Sequence, residues 1–508
     1  MHPSLEKAIT ERIGVLRTHR VVERIWAGDH TVWSPDPTEV ADRLGWLRIH
    51  QRSLSEAPDI ARFARLAASE EFESVVLLGM GGSSLAPEVF ASALAGEGLE
   101  LHVLDSTDPR QIAALERRSS PARTLFVVSS KSGGTIETRS QMEYFWSKAP
   151  DGHHFVAITD PGTELDRIGV GKGFRRVFLN DPEIGGRYSA LSYFGIVPAA
   201  LRGIDTETIL APAARMAEAC GADVPVPENP GVRLGVFMGE AALAGRDKLT
   251  LVLPPEVESL GHWIEQLVAE STGKHARGIL PIEAETLGPP EVYGDDRAFV
   301  ASTDHPALDA IEAAGHPVLR LPAATPETLG AEMFRWMFAT AIAGHLLQLN
   351  PFDQPNVQEA KEATSNVLAG RPVVATTPAL PEVLASVRSG DYIALLAYLP
   401  RSPEMAARLQ VVRHTLRDRY RVATTIGFGP RYLHSTGQFH KGGPNTGVFI
   451  QVVDPATEDI EIPGAPYTFA QLQGAQALGD LSALKHHGRR VARVGLAELE
   501  AFARMARD

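Results

Sequence analysis

Two segments rich in glycine and serine each follow an apolar run near the start of the chain. The first is "VVLLGMGGSSLAPEVF", which contains Gly82 and Ser83. The second is "LFVVSSKSGGTIETRS", and its polar side chains are Ser130, Lys131, Ser132 and Thr135. Glycines let the backbone approach a ligand closely. Backbone N–H groups and hydroxyls can then donate hydrogen bonds to an anion, so the chemistry these segments predict is binding of a phosphate monoester.

Each of these segments is expected to join a strand to a helix. In an open parallel sheet, ligands bind at the carboxyl ends of the strands, where the helix N-terminus also favours an anion. Either loop alone could be an ordinary tight turn, but two in consecutive units favour a phosphate site. The rival is a dinucleotide fingerprint, because residues 79–84 read G-x-G-x-x-S and Asp105 ends the next strand. A nicotinamide-dependent dehydrogenase therefore remains an alternative, although it does not explain the second loop.

Short β-branched runs alternate with helical stretches over most of the chain, which indicates parallel sheets with helices on both faces. A Pro-rich segment, "ADVPVPENPGVR", separates two such blocks and is predicted to be a linker. We predict an α/β protein with an N-terminal helical segment (1–70), two doubly wound domains (71–222 and 230–370) and a C-terminal α/β segment (371–508). The last segment is expected to cover the site, with a helix capped by Ser402 and Pro403 and strands in "RVATTIGFG" and "TGVFIQVV".

Composition excludes several classes of function. A formal net charge of -13 argues against a main role in binding nucleic acid, which relies on a basic surface. The single cysteine, Cys220, excludes a disulfide framework and a cysteine zinc cage within one chain. No secretory signal or membrane span is visible, and no metal-binding pattern occurs. We expect a cytoplasmic protein that needs no metal or cofactor and has no nucleic-acid or membrane partner.

The two loops resemble the paired sugar-phosphate loops of the phosphoglucose isomerase family, which is built from two sugar-isomerase (SIS) domains. The resemblance continues in order with "IGGRYSALSYFG", "AESTGK" and "NPFDQPNVQEAK". The end of the chain, "GPRYLHSTGQFHKGGPNTGVFIQ", is most similar to the isomerase half of bacterial fusions of transaldolase with phosphoglucose isomerase. This similarity suggests a functional link with transaldolase.

The resemblance implies a role for individual residues. Glu270 is implied as the base that moves a proton between two carbons, and Arg187 as the cation that steadies the enediolate. Gln354 is implied on the phosphate side and Lys361 near the ring oxygen. The phosphate set carried over is Gly82, Ser83, Ser130, Ser132 and Thr135, with added charge from Lys131. Glu137 matches a family position near the site.

One family feature is missing. The histidine that opens the sugar ring lies in a Gly-Gln-His segment downstream of the catalytic glutamate, and the corresponding "PPEVYGDDRAFVASTDH" contains none. The C-terminal loop "LHSTGQFHKGG" offers His434 and His440, and the pKa of histidine suits proton exchange near neutrality. We predict that one of these two supplies the imidazole, and the sequence does not choose between them.

These observations predict an aldose–ketose isomerase that interconverts glucose 6-phosphate and fructose 6-phosphate by ring opening and proton transfer through a cis-enediol(ate). Two alternatives stay open: an isomerase that also accepts mannose 6-phosphate, and a non-catalytic SIS module that senses a sugar phosphate. Better-known family members share site residues across a dimer interface. A histidine from the chain's own C-terminal loop would weaken that need, so a homodimer and a monomer are both compatible with the sequence.

Overall fold

The structure is a computed structural model that describes residues 3–70, 72–456 and 458–506. Its α-helices are α1 (Pro3–Thr18), α2 (Val21–Trp26), α3 (Ile49–Ala68), α4 (Leu85–Ala93), α5 (Pro109–Arg118), α6 (Ile136–Lys148), α7 (Glu164–Gly171), α8 (Tyr193–Leu201), α9 (Glu207–Ala219), α10 (Pro230–Leu243), α11 (Leu260–Thr272), α12 (Ala307–Ala313), α13 (Leu329–Leu347), α14 (Pro355–Leu368), α15 (Leu380–Ala385), α16 (Pro403–Tyr420), α17 (Gly437–Gly442), α18 (Phe469–His486) and α19 (Leu496–Met505). Its strands are β1 (Ser74–Gly79), β2 (Glu100–Leu104), β3 (Thr124–Ser129), β4 (Phe155–Thr159), β5 (Arg176–Leu179), β6 (Lys248–Val252), β7 (Leu280–Ile282), β8 (Arg297–Ala301), β9 (Val318–Arg320), β10 (Tyr392–Tyr398), β11 (Ala423–Phe428), β12 (Gly447–Val453) and β13 (Arg490–Val494). Across these described ranges, no helix has the length and apolar character that crossing a bilayer requires.

The strands form three separate sheets, and their pairings are parallel. The strand orders are β2-β1-β3-β4-β5, β7-β6-β8-β9 and β11-β10-β12-β13. In each sheet the first strand along the chain therefore lies between the second and the third. Chain connections leave such a central strand in opposite directions, which creates a crevice at the carboxyl ends of the strands.

The first sheet is covered by helices on both faces, as the sequence predicted. Every residue of β1 and β3 is buried, and continuous apolar runs of this kind are typical of parallel strands. Successive side chains point to opposite faces. Accordingly, Val75 and Leu77 pack in one core with residues of α3 and α8. Val76 and Leu78 pack in another with residues of α6 and α18.

The second sheet lies beyond the Pro-rich segment, which has no regular element up to Asn229 and whose last four residues, from Pro230, form the first turn of α10. Helix α13 is buried along nearly its whole length and contacts α9, α10 and α11. Helix α11 is also almost entirely buried, from Leu260 to Thr272. Because α11 is held on all sides, any functional side chain that it carries is fixed in position.

The C-terminal segment is α/β, as predicted, and it forms a third parallel sheet with its own core. Its helix α16 starts as expected, with the Ser402 hydroxyl accepting a hydrogen bond from the Met405 N–H at 3.2 Å. Strands β11 and β12 lie where they were predicted. The sequence analysis missed β10 and β13, since short buried runs such as "YIALLAY" lack a periodicity that separates strand from helix.

The third unit docks on the first through ion pairs and apolar contacts. Arg431 pairs with Asp105 and with Glu88, whose Oε2 lies 2.6 Å from Nη2. Phe469 and Leu472 of α18 join the core that covers one face of the first sheet. This docking brings the short helix at residues 431–434 against the turn that follows β1.

Candidate active site

The two Gly- and Ser-rich loops meet at one edge of the first sheet. Strands β1 and β3 are neighbours, with Gly79 paired to Ser129 at their carboxyl ends. The Ser129 hydroxyl donates to the Ser83 carbonyl at 3.0 Å, which ties the loops together. The hydroxyls of Ser130 and Thr135 lie 3.0 Å apart at the start of α6. The structure therefore gathers hydroxyl groups and a helix N-terminus in one place, as an anion site requires.

The first loop packs against two other segments so closely that only glycine fits. A Cβ atom on Gly82 would lie 2.1 Å from the carbonyl oxygen of Gly186, which precedes Arg187. Gly81 has a φ of 53°, and a Cβ there would lie 2.6 Å from the carbonyl oxygen of His434. The loop thus sets the position of both the arginine and the histidine segments.

Arg187 is a buried guanidinium held by a full set of acceptors. Its Nε donates to the Ser271 hydroxyl at 2.8 Å, and its Nη2 donates to the carbonyls of Pro351 and Asp353, each at 2.8 Å. Nη1 donates to Gln354 and lies 3.5 Å from Glu270 Oε1. The guanidinium therefore holds a fixed positive charge beside the Glu270 carboxylate.

Glu270 lies in the last turn of α11 and is buried. Its Oε2 accepts a hydrogen bond from Gln266 Nε2 at 3.1 Å, and the same amide donates to the His434 carbonyl at 2.7 Å. The sequence analysis did not identify Gln266. Its spacing of four residues from Glu270 on a helix was the available signal, since such residues share a face.

His434 reaches the site from the third unit and pairs with Glu137 of α6. Its Nε2 lies 2.9 Å from Glu137 Oε1, which also accepts from Gln476 Nε2 at 2.7 Å. Burial alone raises the pKa of Glu137, but the neighbouring charge of His434 outweighs it and holds this pKa below its usual range. An ionised carboxylate only accepts hydrogen bonds, so the imidazole donates from Nε2, and Nδ1 takes no part in this bond.

A cavity of about 400 Å³ lies in front of this pair. Its walls include Gly134 of the second Gly- and Ser-rich loop, Glu137, His434 and Lys361, which projects from α14. Glu270 and Arg187 do not line this cavity. They connect to it through Gln266, which bridges the Glu270 carboxylate and the His434 backbone.

The other predicted phosphate ligands do not all lie in the same surroundings. Ser132 is exposed, and its hydroxyl accepts a bond of 3.4 Å from the Gly134 N–H. Lys131 Nζ is paired with Asp160 and donates to the Pro182 carbonyl at 3.0 Å, so its charge is directed away from the loop hydroxyls. Gln354 lies beside Arg187 and accepts its Nη1–H bond.

His440 lies apart from these groups, in the aromatic core of the third unit. Its ring is stacked on Tyr392 and its Nδ1 lies 3.0 Å from the tyrosine hydroxyl. The ring is 2% exposed, and burial, together with the charges of Lys441 and Arg489, lowers its pKa well below the usual value. Of the two histidines that the sequence offered, the structure brings only His434 to the cavity.

Lys274, the last residue of the "AESTGK" motif, was given no role by the sequence analysis. It is buried, and its Nζ donates to the Asp353 carbonyl at 2.6 Å, the same oxygen that accepts from Arg187. Burial, and secondarily the charge of Arg187, lowers the pKa of Lys274 to about 7. This lysine helps to fix the backbone that holds Arg187.

Comparison with known proteins identifies the family of the chain. The model of the phosphoglucose isomerase family matches residues 27–285, which are 259 of the 508 residues. A glucose-6-phosphate isomerase of Thermus thermophilus is 28% identical over 65% of this chain and 92% of that enzyme. The glucose-6-phosphate isomerase of Thermosynechococcus vestitus is 30% identical over 59% of this chain and 66% of its own length.

Two solved structures share the fold. A hypothetical protein from Thermus thermophilus has a TM-score of 0.62 at 25% identity, covering 73% of this chain and 99% of that one. A glucose-6-phosphate isomerase from Chlamydia trachomatis has a TM-score of 0.57 at 19% identity, covering 71% and 86%. The family match and the glucose-6-phosphate isomerase relatives show that the chain is an isomerase and belongs to the phosphoglucose isomerase family.

Proposed function

We propose that this protein interconverts glucose 6-phosphate and fructose 6-phosphate. One observation carries the proposal: the fixed carboxylate of Glu270 lies 3.5 Å from the buried guanidinium of Arg187. The segment that carries Arg187 packs directly against the first Gly- and Ser-rich loop, at Gly82. Relatives that match along the chain carry the name of this activity. A sugar phosphate held by the loops would present its reacting carbons toward the carboxylate.

The phosphate group is proposed to bind at the N-terminus of α6. The hydroxyls of Ser130 and Thr135 already lie together there, and Ser132 and Ser83 flank them. Each can donate to a phosphate oxygen, and the helix dipole adds a favourable field. We assign Lys131 only a distant electrostatic contribution, because Asp160 neutralises it.

Proton transfer is assigned to Glu270. The carboxylate removes the proton from one of carbons 1 and 2 of the open sugar and returns it to the other. The developing enediolate oxygen carries negative charge, and the guanidinium of Arg187 is oriented beforehand to stabilise it. Gln266 holds the second carboxylate oxygen, so that Glu270 does not rotate away from the substrate.

Ring opening is assigned to His434 with Lys361. Both side chains line the same cavity beside the phosphate loop. His434 exchanges a proton with the ring oxygen or the anomeric hydroxyl, while Glu137 holds the imidazole in place. Since all of these groups come from one chain, we propose that a monomer can form the whole site.

The test is turnover of fructose 6-phosphate, with the product read by a coupled dehydrogenase. We expect an active wild type and a loss of at least about 1,000-fold in kcat for Glu270→Gln, equal to roughly 4 kcal/mol. Glu265→Gln is the matched control, since Glu265 is also a buried carboxyl on α11. Equal activity in Glu270→Gln and wild type would show that another carboxylate is the base.

The same assay separates the alternatives. An inactive wild type that still binds fructose 6-phosphate by calorimetry would indicate a sensing module. Turnover of mannose 6-phosphate at a comparable kcat/KM would indicate a bifunctional isomerase. Reduction or oxidation of added nicotinamide cofactor with the sugar phosphate, measured without the coupling dehydrogenase, would indicate a dehydrogenase.

A further inference from the structure

A second cavity, of about 450 Å³, lies where α14 begins, next to α17 and the turn that follows α18. Five of its lining side chains are basic: Lys274, His275, Lys441, His487 and Arg489. Among the described residues that line it, none is acidic, although the chain carries a formal net charge of -13. It shares no lining residue with the cavity that contains His434 and Lys361. A concave, locally basic surface attracts anions.

Arg489 is the most informative of these side chains. It is 8% exposed, and its Nη2 donates to the carbonyls of Lys441 and Gly443. Within residues 3–70, 72–456 and 458–506, its Nε has no hydrogen-bond partner and no carboxylate forms an ion pair with it. A buried charge without a counter-charge is costly, so its retention at a cavity wall points to a negatively charged ligand.

Most of the other basic groups have partners behind the wall. Lys441 Nζ lies 2.6 Å from Asp480 Oδ1, and His487 Nε2 lies 2.7 Å from Glu359 Oε2. Lys274 pairs with Asp353. The uncompensated groups are therefore Arg489 and, at the rim, His275, which is exposed and has a left-handed backbone with a φ of 53°.

We propose that this cavity is a second binding site, for a small phosphate-bearing anion that Arg489 holds at its wall. Guanidinium groups match the geometry of phosphate oxygens, and the first turn of α14 at the wall adds the positive end of a helix dipole. The cavity is larger than one phosphate group and falls in the size range of ligand pockets, so a phosphorylated metabolite fits.

Binding of an anion in the second cavity is expected to affect the candidate active site around Arg187. Lys274 Nζ and Arg187 Nη2 donate to the same carbonyl, that of Asp353. An anion that draws the Lys274 ammonium toward the cavity changes the hold on residues 350–354, which include Gln354. We infer that the anion alters turnover through this segment, whereas its binding does not depend on the proposed isomerase reaction.

The test measures binding of inorganic pyrophosphate by calorimetry at constant ionic strength. A Thr135→Val background weakens the phosphate site at α6, so that the remaining binding reports the second cavity. In that background we expect Arg489→Met to weaken pyrophosphate binding about 10- to 100-fold, as loss of a charge-assisted hydrogen bond does. Arg408→Met, which removes an arginine paired with Glu500 on the surface, is the control and should leave affinity unchanged. Unchanged affinity in Arg489→Met would overturn the proposal.

A second pair of variants decides the question if Arg489→Met does not fold, since Arg489 also holds two backbone carbonyls. His275→Asp places a negative charge at the rim, and His275→Asn does not, while both residues tolerate a left-handed backbone. At pH 8 we expect the aspartate variant to bind pyrophosphate about tenfold more weakly than the asparagine variant. Equal affinities in these two variants would refute the site. Because binding rather than turnover is measured, this outcome is separate from failure of the proposed function.

Discussion

Replacing His434 by glutamine gives the sharpest test of how the third unit contributes to catalysis. Glutamine can keep a hydrogen bond to Glu137, whose Oε1 lies 2.9 Å from the imidazole in the wild type. It cannot exchange a proton at neutral pH. The His434 carbonyl, which accepts from Gln266, belongs to the backbone and remains. The substitution therefore removes proton exchange and leaves the carboxylate Glu270 in place.

The size of the expected effect follows from the role of a general acid or base, which contributes about 100- to 10,000-fold to a rate. This corresponds to roughly 3 to 5 kcal/mol of barrier. We expect kcat for glucose 6-phosphate, which is mostly cyclic, to fall by that factor in His434→Gln. 5-Deoxyfructose 6-phosphate keeps the hexose spacing between phosphate and carbonyl but cannot close a ring, because it lacks the 5-hydroxyl and its 6-hydroxyl carries the phosphate. Its isomerisation should change by less than about threefold, since it needs no ring opening.

The assay compares both substrates in the wild type, His434→Gln and His440→Phe. The last variant is the matched control, because His440 is buried against Tyr392 and does not line the cavity. It should lose about 1 kcal/mol of stability, through the lost hydrogen bond to Tyr392, and keep its activity. An equal loss on both substrates in His434→Gln would refute the ring-opening role. A selective loss in His440→Phe would mean that the wrong histidine was chosen.

Three further predictions concern the groups around Arg187. Arg187→Lys cannot reproduce the hydrogen bonds that the guanidinium makes, so kcat should fall about 100- to 1,000-fold in the coupled assay, and a loss below tenfold would contradict its role at the enediolate. Gly82→Ala would place a Cβ 2.1 Å from the Gly186 carbonyl and displace the segment that carries Arg187, so its kcat should fall at least about 100-fold. A Cβ on Gly185 meets open space, so Gly185→Ala should keep a kcat close to that of the wild type. Lys274 has a pKa of about 7 in the folded state, below its unfolded value of 10.5. Between these pH values the amine is protonated in the unfolded state and neutral in the folded state. The free energy of unfolding must therefore rise with pH in this range. Urea unfolding between pH 7 and 9 should show a slope up to about 1.4 kcal/mol per pH unit steeper in the wild type than in Lys274→Met, and parallel curves would contradict the lowered pKa.

The fold was predictable where one physical signal dominates. Strands β1 and β3 are apolar runs that each stop at a loop rich in glycine and serine, and the capped start of α16 shows in Ser402 and Pro403. Strand β10 was missed because its uninterrupted apolar run suits a buried helix equally well, and β13 because "RVARV" shows no alternation of apolar and polar side chains. With these two strands, the C-terminal segment that was expected to cover the site forms a third parallel sheet.

The residues that form the candidate site were more predictable from the sequence than the contacts between them. The motifs indicated Glu270 and Arg187, but their separation of 83 positions in sequence gives no distance. The choice between His434 and His440 depends on which face of a short loop meets the first unit, and only tertiary packing decides that. Gln266 carried a local signal, its helical spacing from Glu270. Gln476, which fixes Glu137 from α18, carried none.

The most direct test of the central claim follows hydrogen at carbon 2. Fructose 6-phosphate is incubated in heavy water with the wild type or Glu270→Gln, and deuterium at carbon 2 of the glucose 6-phosphate formed is measured by NMR. If Glu270 transfers the proton, the wild type should incorporate deuterium over many turnovers, and the variant should do so at least about 1,000-fold more slowly. Undiminished conversion, or undiminished exchange at carbon 2, in Glu270→Gln would contradict it.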